Sequence, residues 1–135
     1  MKHTLLPVVL ILLSLLAGCT KGDVKNVEFV IGESARYAEA EIRDAMEVAM
    51  AHSQAEFEGC TLLTMEYSEE KSERSSPGWA ETYSAGEGIV LLSSFQVDDK
   101  GGDGSFNPGD TYHNWQWVLV RSDGGDWELK TWGYG

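Results

Sequence analysis

The chain reads as an α+β domain in which one long N-terminal helix packs on a curved four-stranded antiparallel sheet. Three observations predict it. Apolar residues recur at three- and four-residue steps from Ala38 to Phe57; four short apolar runs follow; and an Asp-Gly-Gly turn separates the last two. A helix needs the first period and half-buried strands need alternation.

In the helix, Ile42, Ala45, Met46, Ala49, Ser53 and Phe57 form the apolar stripe. Glu39, Glu41, Arg43, Asp44 and Glu47 lie mostly off it, and Gly59 ends the element. The strands are expected at residues 61–67, 89–97, 112–121 and 127–132. Asp123-Gly124-Gly125 tolerates the positive φ that a hairpin between the last two requires. Residues 68–76 are charged and serine-rich, and Pro77-Gly78 breaks them, so this segment is expected to be a solvated excursion. Trp115, Trp117 and Leu119 share one face of the third strand and Gln116, Val118 and Val120 the other; apolar groups on both leave open which face meets the helix.

Ahead of the domain, Met1-Lys2-His3 is a short cationic start and residues 5–16 are almost wholly apolar, ending in Leu16-Ala17-Gly18-Cys19. The pattern is a secretory signal, too short for the ~20 apolar residues that span a bilayer. Leu-Ala-Gly-Cys resembles the lipobox of bacterial lipoproteins. That resemblance implies a diacylglyceryl group on the Cys19 sulfur and cleavage before it. The expected organisation is therefore a signal peptide at 1–18, a lipidated cysteine and tether at 19–37 with a short strand at 27–31, and the α+β domain at 38–135. The partner is the lipid bilayer, reached through diacylglyceryl-Cys19, and the location is the cell membrane, facing outside the cytoplasm. Two acyl chains give stable attachment where one is marginal.

Cleavage would leave 117 of the 135 residues, enough for one domain with its own core. The net charge of −12 excludes nucleic acid as a partner and disfavours a domain lying flat on an anionic membrane; standing off on the tether is expected instead. Cys60 is the only cysteine besides Cys19, so no intrachain disulfide is available once Cys19 carries lipid. Beside Gly59 and an apolar run it is expected to be a small buried hydrophobe rather than a nucleophile.

Element order makes the domain similar to the cystatin fold or a reduced nuclear-transport-factor-like roll. The chain also resembles a group of small bacterial lipoproteins of uncharacterised activity. The residues behind this are Phe57-Glu58-Gly59-Cys60-Thr61-Leu62, Glu69-Glu70-Lys71-Ser72, Val90-Leu91-Leu92-Ser93-Ser94-Phe95, Gly101-Gly102-Asp103-Gly104-Ser105, Trp115-Gln116-Trp117 and the Trp-Gly-Tyr ending. The resemblance implies a location and a shape, not an activity.

The segment from Asp98 to Asp110 is the one candidate ion site. Aligned with the twelve-residue calcium loop, it offers Asp99, Asp103, Asn107 and Asp110, with Gly104 at the turning position. Gly101 at the third position and Asp110 at the twelfth depart from that pattern; the alternative is an acidic hairpin loop. Trp79, Trp115, Trp117, Trp127, Trp132 and Tyr134 could line a groove for sugars or peptides, or pack the core. No Gly-x-Ser-x-Gly, His-Glu-x-x-His or cysteine pair appears. The expected role is a non-catalytic binding or envelope-interaction module with an unknown envelope protein or ligand. The alternatives are a small cavity-type hydrolase or isomerase, using His113 with Asp110 or Tyr112, and a calcium-stabilised surface domain. No organic cofactor is expected.

Overall fold

The structure, a computed structural model, describes residues 21–134. Cys19, the expected lipidation site, and the expected signal segment 1–18 lie outside the described residues. The fold is α+β. Its order is β1 (Glu28–Ile31), α1 (Glu39–Glu56), β2 (Cys60–Tyr67), α2 (Glu69–Glu73), α3 (Ser76–Thr82), β3 (Glu87–Val97), β4 (Thr111–Arg121) and β5 (Glu128–Gly133).

The sheet has five strands in the order β1-β2-β3-β4-β5. Strands β2 to β5 are the expected antiparallel set. The difference is β1, which pairs parallel to β2 with Glu28 opposite Thr64 and Ile31 opposite Tyr67, so the sheet is mixed. The segment expected to be a tether is thus part of the domain. Its backbone is bonded from Lys21 onward, with Lys21 and Gly22 N–H donating to the Gln54 carbonyl.

Helix α1 starts where Glu41 reaches back to accept from the Ala38 N–H at 2.9 Å. Glu39 and Glu41 in the first turn suit the positive end of the helix dipole. Its stripe of Ile42, Ala45, Met46, Ala49 and Ser53 is buried. The partners are Leu62, Met65 and Tyr67 on β2, Ile89, Leu91 and Phe95 on β3, and Trp117 and Leu119 on β4. The Trp117–Leu119 face therefore meets the helix, and Trp117 is fully buried with its Nε1–H donating to Ser93 Oγ at 2.8 Å.

The opposite face corrects a second expectation. Residues 68–76, expected to be a solvated excursion, instead hold one short helix and the start of a second that runs to Thr82, and the two cover Val90, Val118 and Val120. Ser68 caps α2 by accepting from the Lys71 N–H, and Pro77 sits in the first turn of α3, where its missing N–H costs nothing. The buried positions are Ser72, Ser76 and Ala80, small enough to let the helices approach the sheet. Ser72 Oγ accepts from the Val90 N–H at 3.0 Å. The architecture is three-layered: α1, sheet, α2–α3.

Two bulges decide which side chains share a face. In β2 the register slips between Leu62 and Thr64. In β4, His113 and Asn114 together stand opposite Ser94, with Ser93 facing Trp115 and Phe95 facing Tyr112. Asn114 has φ 57°, the left-handed region that a bulged Asn tolerates. The extra residue brings Tyr112 to the same face as Trp115, three positions away, where regular alternation would oppose them.

Candidate ligand-binding site

A pocket of about 470 Å³ opens beside the last turns of α1, between the helix, the β3–β4 loop and the ends of β4 and β5. His52 and Glu56 lie four residues apart, hence on one helix face. Phe57, Phe106, Trp115 and Trp132 form aromatic walls, and Asp103 and Ser105 edge the mouth. His52 lies against Trp132 with ring centroids 4.1 Å apart. Phe57 meets Phe106 at 5.8 Å and Trp115 edge-on at 6.1 Å. Burial holds the His52 imidazole below its ordinary pKa, against the opposing pull of Glu56, so the ring is neutral at neutral pH.

One group stands out. The Trp115 indole Nε1 is buried and has no hydrogen-bond partner; among the described residues it is the only such side-chain nitrogen or oxygen. The other buried indoles are satisfied, Trp117 by Ser93 and Trp127 by the Glu41 carbonyl at 3.0 Å. A buried donor without an acceptor costs on the order of 1–3 kcal/mol. The pocket, with the Trp115 ring in its wall, offers carboxylate acceptors and flat apolar walls.

The β3–β4 loop that forms one lip is held by its own backbone. Asp98 Oδ1 accepts from the N–H groups of Lys100 and Gly102, and Asp103 Oδ1 from the N–H and hydroxyl of Ser105. Asn107 N–H donates to the Tyr112 hydroxyl at 3.0 Å. Gly59 has φ 75°, and a Cβ there would come 2.6 Å from an Asp98 oxygen, so the loop is seated on a glycine. Of the calcium candidates, Asp99 and Asp110 are exposed, while Asp103 is turned onto Ser105. Among the described residues no three His, Cys, Asp or Glu side chains come together as a metal site.

The tryptophans divide. Trp117 and Trp127 are core, Trp115 and Trp132 line the pocket, and Trp79 on α3 stacks on Tyr83 at 6.1 Å. Tyr134 is 63 % exposed and lies 5.4 Å from Trp115. The bulge separates the residues considered for catalysis. Tyr112 packs with Phe95 and Trp115, whereas His113 and Asn114 line an open groove on the other face with Leu92 and Gln116. Cys60 is buried, and burial pushes its thiol up to about 11, where the nucleophilic thiolate is scarce.

His52 and Glu56 were not foreseen as site residues. Their four-residue spacing at the end of the helix was visible, but Trp132, eighty positions from His52, meets them only through the sheet register. Among the described residues no helix is long and apolar enough to cross a membrane. The site defines the class, an α+β domain with an aromatic-walled, carboxylate-edged pocket. No family model, curated protein or solved structure matches the chain.

Proposed function

We propose that the chain is a lipoprotein anchored outside the cytoplasmic membrane through Cys19, and that its domain is a non-catalytic module binding a neutral saccharide in the pocket between His52, Trp115 and Trp132. The observation that carries the ligand assignment is the lining of the pocket, aromatic walls of Phe57, Phe106, Trp115 and Trp132 with Glu56 and Asp103 at the edge. A sugar ring places C–H faces on Trp132 and Phe106 and donates hydroxyls to Glu56 and Asp103. An anion would meet the two carboxylates. The neutral His52 ring adds no charge to attract one.

Binding is favoured over catalysis by packing. The space between α1 and the sheet, where a cavity-type hydrolase or isomerase would hold its substrate, is filled by Met46, Leu91, Trp117 and Leu119. Likeness to a cystatin-like shape rests on one long helix against four successive antiparallel strands, and brings no activity with it.

The test is a tryptophan-fluorescence titration with neutral trisaccharides such as chitotriose and cellotriose. A saturable change is expected for the wild type, weakened about tenfold in W115F, which trims the wall from an indole to a phenyl ring, and abolished in W132A. No response to either sugar at millimolar concentration removes the saccharide assignment. Lipidation is tested separately by the mass of the N-terminal peptide from a membrane fraction. A bare Cys19 thiol, or residues 1–18 still attached, removes the anchor.

A further inference from the structure

We propose that the bilayer lies directly against one end of the domain, formed by the Glu58–Cys60 turn and the Asp98–Gly102 stretch beside the docked Lys21, with no free tether between. The inference rests on the lipidation of Cys19 proposed above.

Chain length and its docking carry the argument. Lys21 and Gly22 N–H both donate to the Gln54 carbonyl, at 3.0 and 2.9 Å, and Gly59 N–H donates to the Lys21 carbonyl at 3.4 Å. Asp23 continues the clamp: its N–H donates to Cys60 O and its carbonyl accepts from Leu62 N–H, both at 2.9 Å. Gly22 is pressed so closely onto α1 that a Cβ would stand 2.3 Å from the Ser53 carbonyl oxygen. The chain is therefore fixed at Lys21. Two residues of extended chain reach at most about 7 Å. The headgroup layer of one leaflet is itself about 5–8 Å deep, and acyl chains on Cys19 must enter the hydrocarbon beneath it. The docked end has nowhere to be but at headgroup level.

The charge of that end selects the kind of surface. Glu58, Asp98 and Asp99 are exposed there, against Lys21 and Lys100. At a separation below the ~8–10 Å screening length, anionic lipids repel such a surface, so the partner is a bilayer of zwitterionic headgroups. The expectation of a domain standing off on a long tether gives way to a seated one.

The test couples the processed chain, residues 19–135, through Cys19 to a maleimide lipid in phosphatidylcholine bicelles containing a gadolinium-headgroup lipid. At pH 7 the buried Cys60 thiol does not compete. Amide signals are then compared at the two ends of β3, about 33 Å apart for eleven residues. Severalfold stronger broadening is expected at Gly59 and Gly102 than at Gly124 and Gly125 in the β4–β5 turn. A twelve-residue Gly-Ser insertion between Thr20 and Lys21 is expected to remove the difference. Equal broadening at both ends, stronger broadening at the turn, or a pattern that survives the insertion overturns the orientation. Because the coupling is chemical, these outcomes do not depend on cellular lipidation, which the mass measurement decides alone.

Discussion

The Arg121 guanidinium lies over the Trp127 indole, its central carbon 4.2 Å from the ring centroid. Its edges are occupied as well, Nε donating to Glu87 at 2.7 Å and Nη2 to Glu41 at 2.5 Å. One side chain, 10 % exposed, thus joins the start of α1, the start of β3, the end of β4 and the residue preceding β5. The geometry needs a flat, forked cation, which lysine does not supply.

Arg121→Ala is accordingly expected to destabilise the domain by about 2–4 kcal/mol, below the upper end for a buried pair because both carboxylates keep some solvent. Arg121→Lys should recover less than half of that loss. The midpoint of urea unfolding reads both; an alanine variant within 0.5 kcal/mol of the parent would show that the junction contributes little.

Gly22→Ala tests the clamp that seats the N-terminal segment. A methyl 2.3 Å from the Ser53 oxygen and 3.0 Å from the Phe57 oxygen must push backbone against backbone. A loss of about 1–3 kcal/mol is expected, as for overpacking elsewhere. The more specific sign is local: the Leu62 amide, which donates to Asp23, should exchange with solvent faster while Leu91 and Trp117 in the sheet centre change less.

Cys60 makes stability fall on the alkaline side. Burial, reinforced by Asp98 and Asp103, lifts the folded-state thiol from its ordinary 9.0 to about 11. The unfolded chain therefore loses its proton first, so the contribution is full below pH 9 and drains between pH 9 and 11. Tyr67, whose hydroxyl is also raised mainly by burial, adds a slope of the same sign. Cys60→Ala should flatten the earlier part of the decline in denaturant midpoints between pH 8 and 11, leaving the tyrosine part.

Glu69 acts in the opposite direction. Its carboxylate accepts from the Ser34 hydroxyl, from Ala35 N–H at 3.0 Å and from the Tyr67 hydroxyl at 3.1 Å, fastening the segment between β1 and α1 to the start of α2. These bonds, led by Ser34, hold its pKa below the ordinary 4.5. A lowered folded-state value means stability present above pH 4.5 and lost as pH falls through the folded value. Glu69→Gln should be less stable than the parent at pH 7 and show a shallower fall between pH 5 and 3. Parallel curves for the two would discount the network.

Much of this fold was legible in the chain, and the failures have common causes. The stripe from Ile42 to Ser53 and the runs that became β2 to β5 obey the periods that burial imposes. Helices α2 and α3 were missed because their buried positions are Ser72, Ser76 and Ala80. Small residues packed on a sheet leave no apolar periodicity, and Pro77-Gly78 looks like a break although it opens a helix. The run at β1 was visible, but its parallel pairing depends on Thr64 to Tyr67, which no local pattern reports. At the site, Trp115 and Trp117 occupy equivalent positions by alternation. Only Ser93, which accepts from one indole and leaves the other without an acceptor, tells them apart.

The sheet order, with every strand beside its neighbour in sequence, also bears on how the molecule assembles. Each pairing closes a single connection, and closure entropy grows only with the logarithm of its length. A chain emerging amino-terminus first can add β2 to β1 once α1 is complete, then β3, β4 and β5 in turn, without threading or waiting for a distant partner. Such a topology suits fast, single-phase refolding for its size. The apolar faces of the strands would then be exposed only briefly while the chain folds.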